Sequence, residues 1–254
     1  MAENSLRGKM ARRLGFWHYL HFIDKYVSAG ARGLEFGSGG GNHWLANTYD
    51  MVGLEYGFSS AKAASQVYAN SVNGDASCTP FADSSFNFVC SCFVLEHFHD
   101  LVAHKTLSEM FRILRPDGKF IALMDLHCNR PFLRRLREQY PATYQEAMVI
   151  FPGHHGLLSE VQWRSTVEAA GFDVKVWRLQ SRFPISDLGT YACLAAAPSA
   201  FPHLQLLGRR ALWLARKRNV NSLYQITLTI LDDMIGWMLP QSWAYRLLFV
   251  LQKP

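Results

Sequence analysis

An acidic residue set just ahead of a glycine turn is the first chemical signal in the chain. Residues 31–36 form a short, mostly apolar run that contains Glu35, and glycines follow at Gly37, Gly39, Gly40 and Gly41. Glycine permits positive φ and removes the Cβ that would keep a ligand off the backbone. A helix beginning after such a turn offers free N–H groups at its start. The spacing lacks the third glycine of the dinucleotide fingerprint, because position 42 is Asn. A carboxylate at Glu35 would repel a pyrophosphate, whereas a cationic ligand could use it.

Further polar residues fall where strand ends should face a ligand crevice. Glu55 closes a second apolar run over 51–55, about 20 residues beyond the turn, where a carboxylate can accept from both hydroxyls of a ribose. The competing reading of Glu55 is a solvated loop acid. Asp75 follows a short third run over 71–73 and could accept from an adenine amino group, or could bond its own backbone as a turn aspartate. His127, just past a run over 119–125, and His154 with His155, in a loop, are the candidate general bases.

The elements that must carry these residues alternate between strand and helix patterns. Helices are expected over 1–30, 42–48, from 58 with Ser59 or Ser60 as N-cap, over 104–114, 131–140 and 159–170. Strands are expected over 31–36, 51–55, 71–73, 87–93, 119–125, 172–179 and 244–252. The run over 87–93 is apolar on both faces, which predicts a central strand. Such alternation predicts an α/β, doubly wound, mostly parallel seven-stranded sheet in a single domain.

Four further segments, in order, carry a family resemblance: Gly74-Asp75-Ala76, then 80–86 with Pro80-Phe81, then Val94-Leu95-Glu96-His97-Phe98, then Arg112 to Gly118. With the acid–glycine turn, they resemble class I S-adenosylmethionine (SAM) methyltransferases of the quinone-biosynthesis type, over roughly residues 30–125. The resemblance implies a Rossmann-like methyltransferase fold with an antiparallel last strand, and SAM as cofactor. It also implies cofactor contacts from Glu35, Gly37, Ser38, Gly39, Glu55, Tyr56, Asp75, Ala76, Cys92 and Phe93. The ammonium and sulfonium of SAM suit Glu35. Two positions depart from the pattern, Asn87 for an Asp and Asp117 for a Gly. Some relatives hold a divalent metal through a Glu-His pair after strand four plus an upstream acid. Glu96-His97 matches the pair, but Phe93 stands where the acid would be, so no metal is expected.

Composition limits the rest. With 49% hydrophobic and 18% charged residues, the chain is core-forming. Its net charge of +6 suits an anionic membrane surface or an acidic substrate, and no nucleic-acid-binding motif accompanies it. The five cysteines fit neither a zinc framework nor a disulfide set, and Cys90 and Cys92 read as buried small hydrophobes of one strand face. A reducing, cytoplasmic setting follows, with no secretory leader at the basic start.

The core sheet is assigned to 31–180 and 244–254, behind an N-terminal cap helix over 1–30. Between them, 181–243 reads as a helical insertion forming a lid. Its part over 204–239 mixes leucines, arginines and tryptophan, which also suits contact with the inner face of an anionic membrane. The function expected is methyl transfer to a small-molecule or lipid-linked hydroxyl acceptor, with saccharides included. A nicotinamide-dependent oxidoreductase and a non-catalytic SAM-binding protein are the alternatives.

Overall fold

The computed structural model describes residues 18–254. The sequence-based expectations that fall on residues 1–17, among them the basic start of the cap helix, lie outside the described residues. Seven strands form one sheet in the order β3-β2-β1-β4-β5-β7-β6. They are β1 (Arg32–Phe36), β2 (Asp50–Glu55), β3 (Asn70–Asn73), β4 (Phe86–Cys92), β5 (Leu114–Asp125), β6 (Asp173–Gln180) and β7 (Arg246–Gln252). The pairings from β3 through β5 are parallel, and β7 runs antiparallel to both β5 and β6. This is the doubly wound α/β sheet expected from the sequence, with its strand order turning back at β1 and β4. Ligands in such sheets bind outside the carboxyl ends of the strands, at that reversal.

Each strand alternates its side chains between two helical layers. On one face Leu34, Val89, Phe120, Ala122 and Phe249 pack on Leu107 and Met110 of α4 (Asp100–Ile113) and Trp163 of α6 (Glu160–Ala169). On the other face Met51, Phe88, Cys90, Ile121 and Leu248 meet α1 (His18–Tyr26) and α2 (His43–Thr48), through Ile23, Trp44 and Leu45. Cys90 is fully buried, as expected, while Cys92 is half-buried, and every cysteine is free.

Side-chain caps fix two of these helix starts. Asn42 caps α2 by accepting from the Trp44 and Leu45 amides, so a glycine there would forfeit the cap. Ser159 caps α6 in a reciprocal box with Gln162. One expectation is corrected: α3 (Phe58–Ala64) has Gly57 as N-cap with no side-chain bond, and neither Ser59 nor Ser60 serves. α4 also starts earlier than its apolar periodicity suggests, at Asp100, whose carboxylate suits the positive helix start.

The connection from β6 to β7, residues 181–245, carries α7 (Pro202–Ala215) and α8 (Arg218–Ile235). With α5 (Pro131–Gln139) and the π-helical turn Gln145–Ile150, it builds a satellite core from Leu133, Leu136, Met148, Leu194 and Leu204. α8 has no buried residue. No helix among the described residues is long and apolar enough to cross a membrane.

Candidate active site

β1 delivers Glu35 beneath the turn. The turn glycines take φ of +66° at Gly37, +59° at Gly39, +129° at Gly40 and +84° at Gly41, a region that favours glycine. A Cβ at Gly37 would lie 2.3 Å from a Val94 methyl, so the turn is pressed onto the segment after β4. A Cβ at Gly39 would meet no atom within 4 Å. One glycine therefore serves packing, and the other keeps an open backbone face at the ligand edge.

Glu35 is 4% exposed. Its carboxylate accepts from the Tyr68 hydroxyl and, at 3.5 Å, from that of Tyr19. Tyr68 in turn accepts from the Asn42 amide at 2.8 Å, which ties the acid to the far end of the turn. Burial raises the Glu35 pKa to about 7, against the Tyr68 hydrogen bond that lowers it.

Glu55, at the end of β2, is 7% exposed and is not the solvated acid of the competing reading. Its Oε1 accepts from the Ser38 hydroxyl at 2.9 Å and from the Gly39 amide. Ser38, Gly39 and Glu55 thus form one unit, and Tyr56 stands 84% exposed beside it. Asp75 behaves here as a turn aspartate, since its Oδ1 accepts from both the Ser77 amide and hydroxyl at 2.7 and 2.8 Å. Ala76 packs into the core. Phe93, at φ +56°, lies under the Arg246 guanidinium at 5.3 Å from its ring centre.

Arg246 was not legible as a site residue. It opens β7 and bridges Asp125 at 3.3 Å and Asp187 at 3.0 Å, all three largely buried. Burial raises Asp125 to about 6, with Arg246 opposing. Burial also acts to raise Asp187, but Arg246 prevails and lowers it. A narrow cleft with a cavity volume of about 50 Å³ adjoins this network, walled by Leu123, Arg130, Arg178 and Gln180 and roofed by Leu228 and Asp232 of α8. Asp232 fixes the roof by accepting from the backbone amides of Ser181, Arg182 and Phe183. A signal did exist: an arginine and an aspartate at the facing ends of adjacent strands.

The histidines separate. His127 lines another cleft with Asn129, Ser159 and Gln241, and burial, helped by Arg137, lowers its pKa. His154 packs against His97, ring centres 5.2 Å apart, and His155 stacks on His99 at the same separation. Burial lowers His154 to about 4, helped by His97. Glu96, His97 and His154 converge, with one ligand atom of each within 4.8 Å of the others.

Residues 34–122 match a family model described as a methyltransferase domain. Demethylmenaquinone methyltransferase of Staphylococcus aureus (strain MRSA252) is 27% identical over 146 residues, 53% of this chain. The chain spans 58% of that relative's length. Among solved structures, the YcgJ protein of Bacillus subtilis superposes with a TM-score of 0.54 at 17% identity, covering 93% of this chain and 98% of that one. The [4+2]-cyclase SpnF gives 0.59 at 14% identity, covering 94% and 80%. A geranyl diphosphate methyltransferase in complex with GPP and sinefungin gives 0.58 at 10% identity, covering 94% and 78%. These structures share the fold. With its acid–glycine turn, its strand order and a methyltransferase domain matched over residues 34–122, the chain is similar to the class I SAM-dependent methyltransferases and shares their fold.

Proposed function

We propose that the protein transfers the methyl group of SAM to a hydroxyl of a small-molecule or lipid-linked acceptor, saccharides included. One observation carries the reading. The open backbone at Gly39, clamped by Glu55, shares the sheet's carboxyl edge with the cleft under α8, which Arg246 lines while its guanidinium stacks on Phe93 just past β4. SAM bound at the turn would meet Glu35, Ser38, Gly39, Glu55 and Tyr56, and it supplies an activated methyl on sulfur.

The residues then have to align and shield. Because the sulfonium leaves as a neutral thioether, alignment is the main demand, and positioning can contribute roughly 7–11 kcal/mol. A hydroxyl acceptor must also lose a proton. His127, whose pKa burial lowers, is the proposed base, and because it lines the cleft with Asn129 and Ser159 and not the one under α8, the role requires the acceptor hydroxyl to reach that second cleft. His127→Gln should then cut turnover by about 10²–10⁴-fold and leave SAM affinity unchanged.

The helical insertion supports a peripheral membrane role at the inner face, as a lipid-linked acceptor would require. Leu223, Met234, Trp237 and Met238 are each more than half exposed. Leu223 and Met234 lie on α8 and Trp237 and Met238 in the single turn after it, while Arg209 and Arg210 lie on α7, Arg216 and Lys217 at the junction and Arg218 at the start of α8. Calorimetry with SAM, its demethylated product and NAD tests the cofactor, and tighter binding of NAD than of SAM overturns it. Methyl-labelled SAM incubated with the protein and a cell extract tests transfer. Label is expected in a small or lipid-linked product, and its appearance in protein or nucleic acid instead would defeat the acceptor class.

A further inference from the structure

The segment after β4 holds a carboxylate that the proposed methyl transfer leaves unexplained. Glu96 lies in the one-turn helix Leu95–His97 and is 0% exposed. Neither of its oxygens completes a hydrogen bond. Burial, then the nearby Asp125 charge, raises its pKa, against the backbone of Glu96 and Asp125 and the Arg246 charge, which lower it. A buried carboxylate is costly unless it is paired or coordinates a metal.

Two imidazoles face it. His97 Nδ1 lies 2.9 Å from the Gly153 carbonyl oxygen, so it carries the proton and leaves Nε2 as the free lone pair. His154 is bonded to the Met148 backbone, yet its Nδ1 is buried without a partner. Each ring thus has one nitrogen tied to backbone, as in metal sites where a hydrogen bond to the other ring nitrogen orients the histidine. The loop is firmly seated. The Gly156 amide donates to the Glu96 carbonyl at 2.9 Å, and a Cβ at Gly156 would lie 1.6 Å from the Phe98 oxygen.

We propose that Glu96, His97 and His154 form a binding site for a zinc-like divalent transition ion. The donor set decides the metal class. Magnesium and calcium require oxygen-rich ligation. Two imidazole nitrogens and one carboxylate suit zinc and its first-row neighbours, and three protein ligands leave a coordination position open. The family pattern would place its third ligand, an acid, at Phe93. Here the third ligand is instead His154, brought in from the distant loop whose Gly153 carbonyl accepts from His97.

The test uses the full chain, untagged and stripped with chelator. Titration with Zn²⁺ by calorimetry should give one equivalent, and Co²⁺ should give the intense visible absorption of a low-coordinate site. Mg²⁺ in excess should displace neither. His154→Ala and Glu96→Gln should each weaken Zn²⁺ binding at least about 100-fold, while His104→Ala, outside the cluster, should bind as wild type. If Glu96→Gln does not fold, His154→Ala decides alone. Absence of stoichiometric Zn²⁺ binding, or wild-type binding by His154→Ala, overturns the site. Because the readouts need no SAM and no acceptor, they succeed or fail independently of the methyl-transfer proposal.

Discussion

The carboxylate of Glu55 holds Ser38 across the glycine turn, hydroxyl to Oε1 at 2.9 Å, so one acid both shapes the turn and faces the ligand edge. A hydrogen bond to a charged group is worth about 1.5–3 kcal/mol. Glu55→Ala should therefore weaken SAM binding roughly tenfold to several hundredfold in calorimetry. It should also lower the melting temperature of the free protein, because two turn donors lose their acceptor. Glu55→Asp should lose less affinity. Unchanged affinity in Glu55→Ala would remove Glu55 from the cofactor site.

Glu35 gives the site a pH dependence. Its folded pKa is about 7, above the ordinary 4.5. The sign follows: the neutral acid is favoured by folding, so its contribution is full below about pH 4.5 and is lost as pH rises through about 7. A cationic ligand favours the carboxylate, so SAM affinity should rise between about pH 6 and pH 8, with proton release on binding. Tyr68→Phe removes a bond that lowers the pKa and should shift this rise to higher pH. A flat affinity profile would separate Glu35 from the cofactor.

Arg246 is the linchpin of a buried charge network. Removing one partner of such a network leaves uncompensated charge and costs about 3–5 kcal/mol. Arg246→Leu should lose stability on that scale in urea denaturation, because Asp125 and Asp187 are both left without their cation. A loss below about 1 kcal/mol would mean that water replaces the guanidinium.

The insertion should bring the protein down with anionic vesicles at low salt and release it at high salt, where surface attraction is screened. Leu223→Glu with Met234→Glu should abolish sedimentation and leave stability nearly unchanged, since these side chains are 67% and 65% exposed. Wild-type protein remaining in the supernatant at low salt would leave α8 as a roof alone.

The order of strands and helices was legible because each apolar run has the length and flanking turn residues of its element. Gly37, Ser38, Gly39 and Glu55 could likewise be placed by spacing, since the turn binds them within one strand–helix–strand unit. What sequence spacing cannot convey is contact between distant segments. Tyr68 joins Glu35 across 33 residues and Arg246 joins Asp125 across 121. His154 likewise reaches the Glu96–His97 pair only because the loop after the π-helical turn folds back on it. Asp75 was ambiguous for the opposite reason, as its partner Ser77 is two residues away and such local bonds form with or without a ligand.

β7 lies between β5 and β6, yet it follows β6 only after residues 181–245. Among the described residues β6 pairs with β7 and no other strand, so it cannot join the sheet until β7 is in place. Contacts of such long sequence separation form slowly. Assembly should therefore divide in time, with β1 to β5 able to associate first and β6 left unpaired meanwhile. The same delay postpones closure of the Arg246 network, so the cleft under α8 is among the last features to form. The acceptor site would then be a kinetic latecomer on a cofactor platform already assembled.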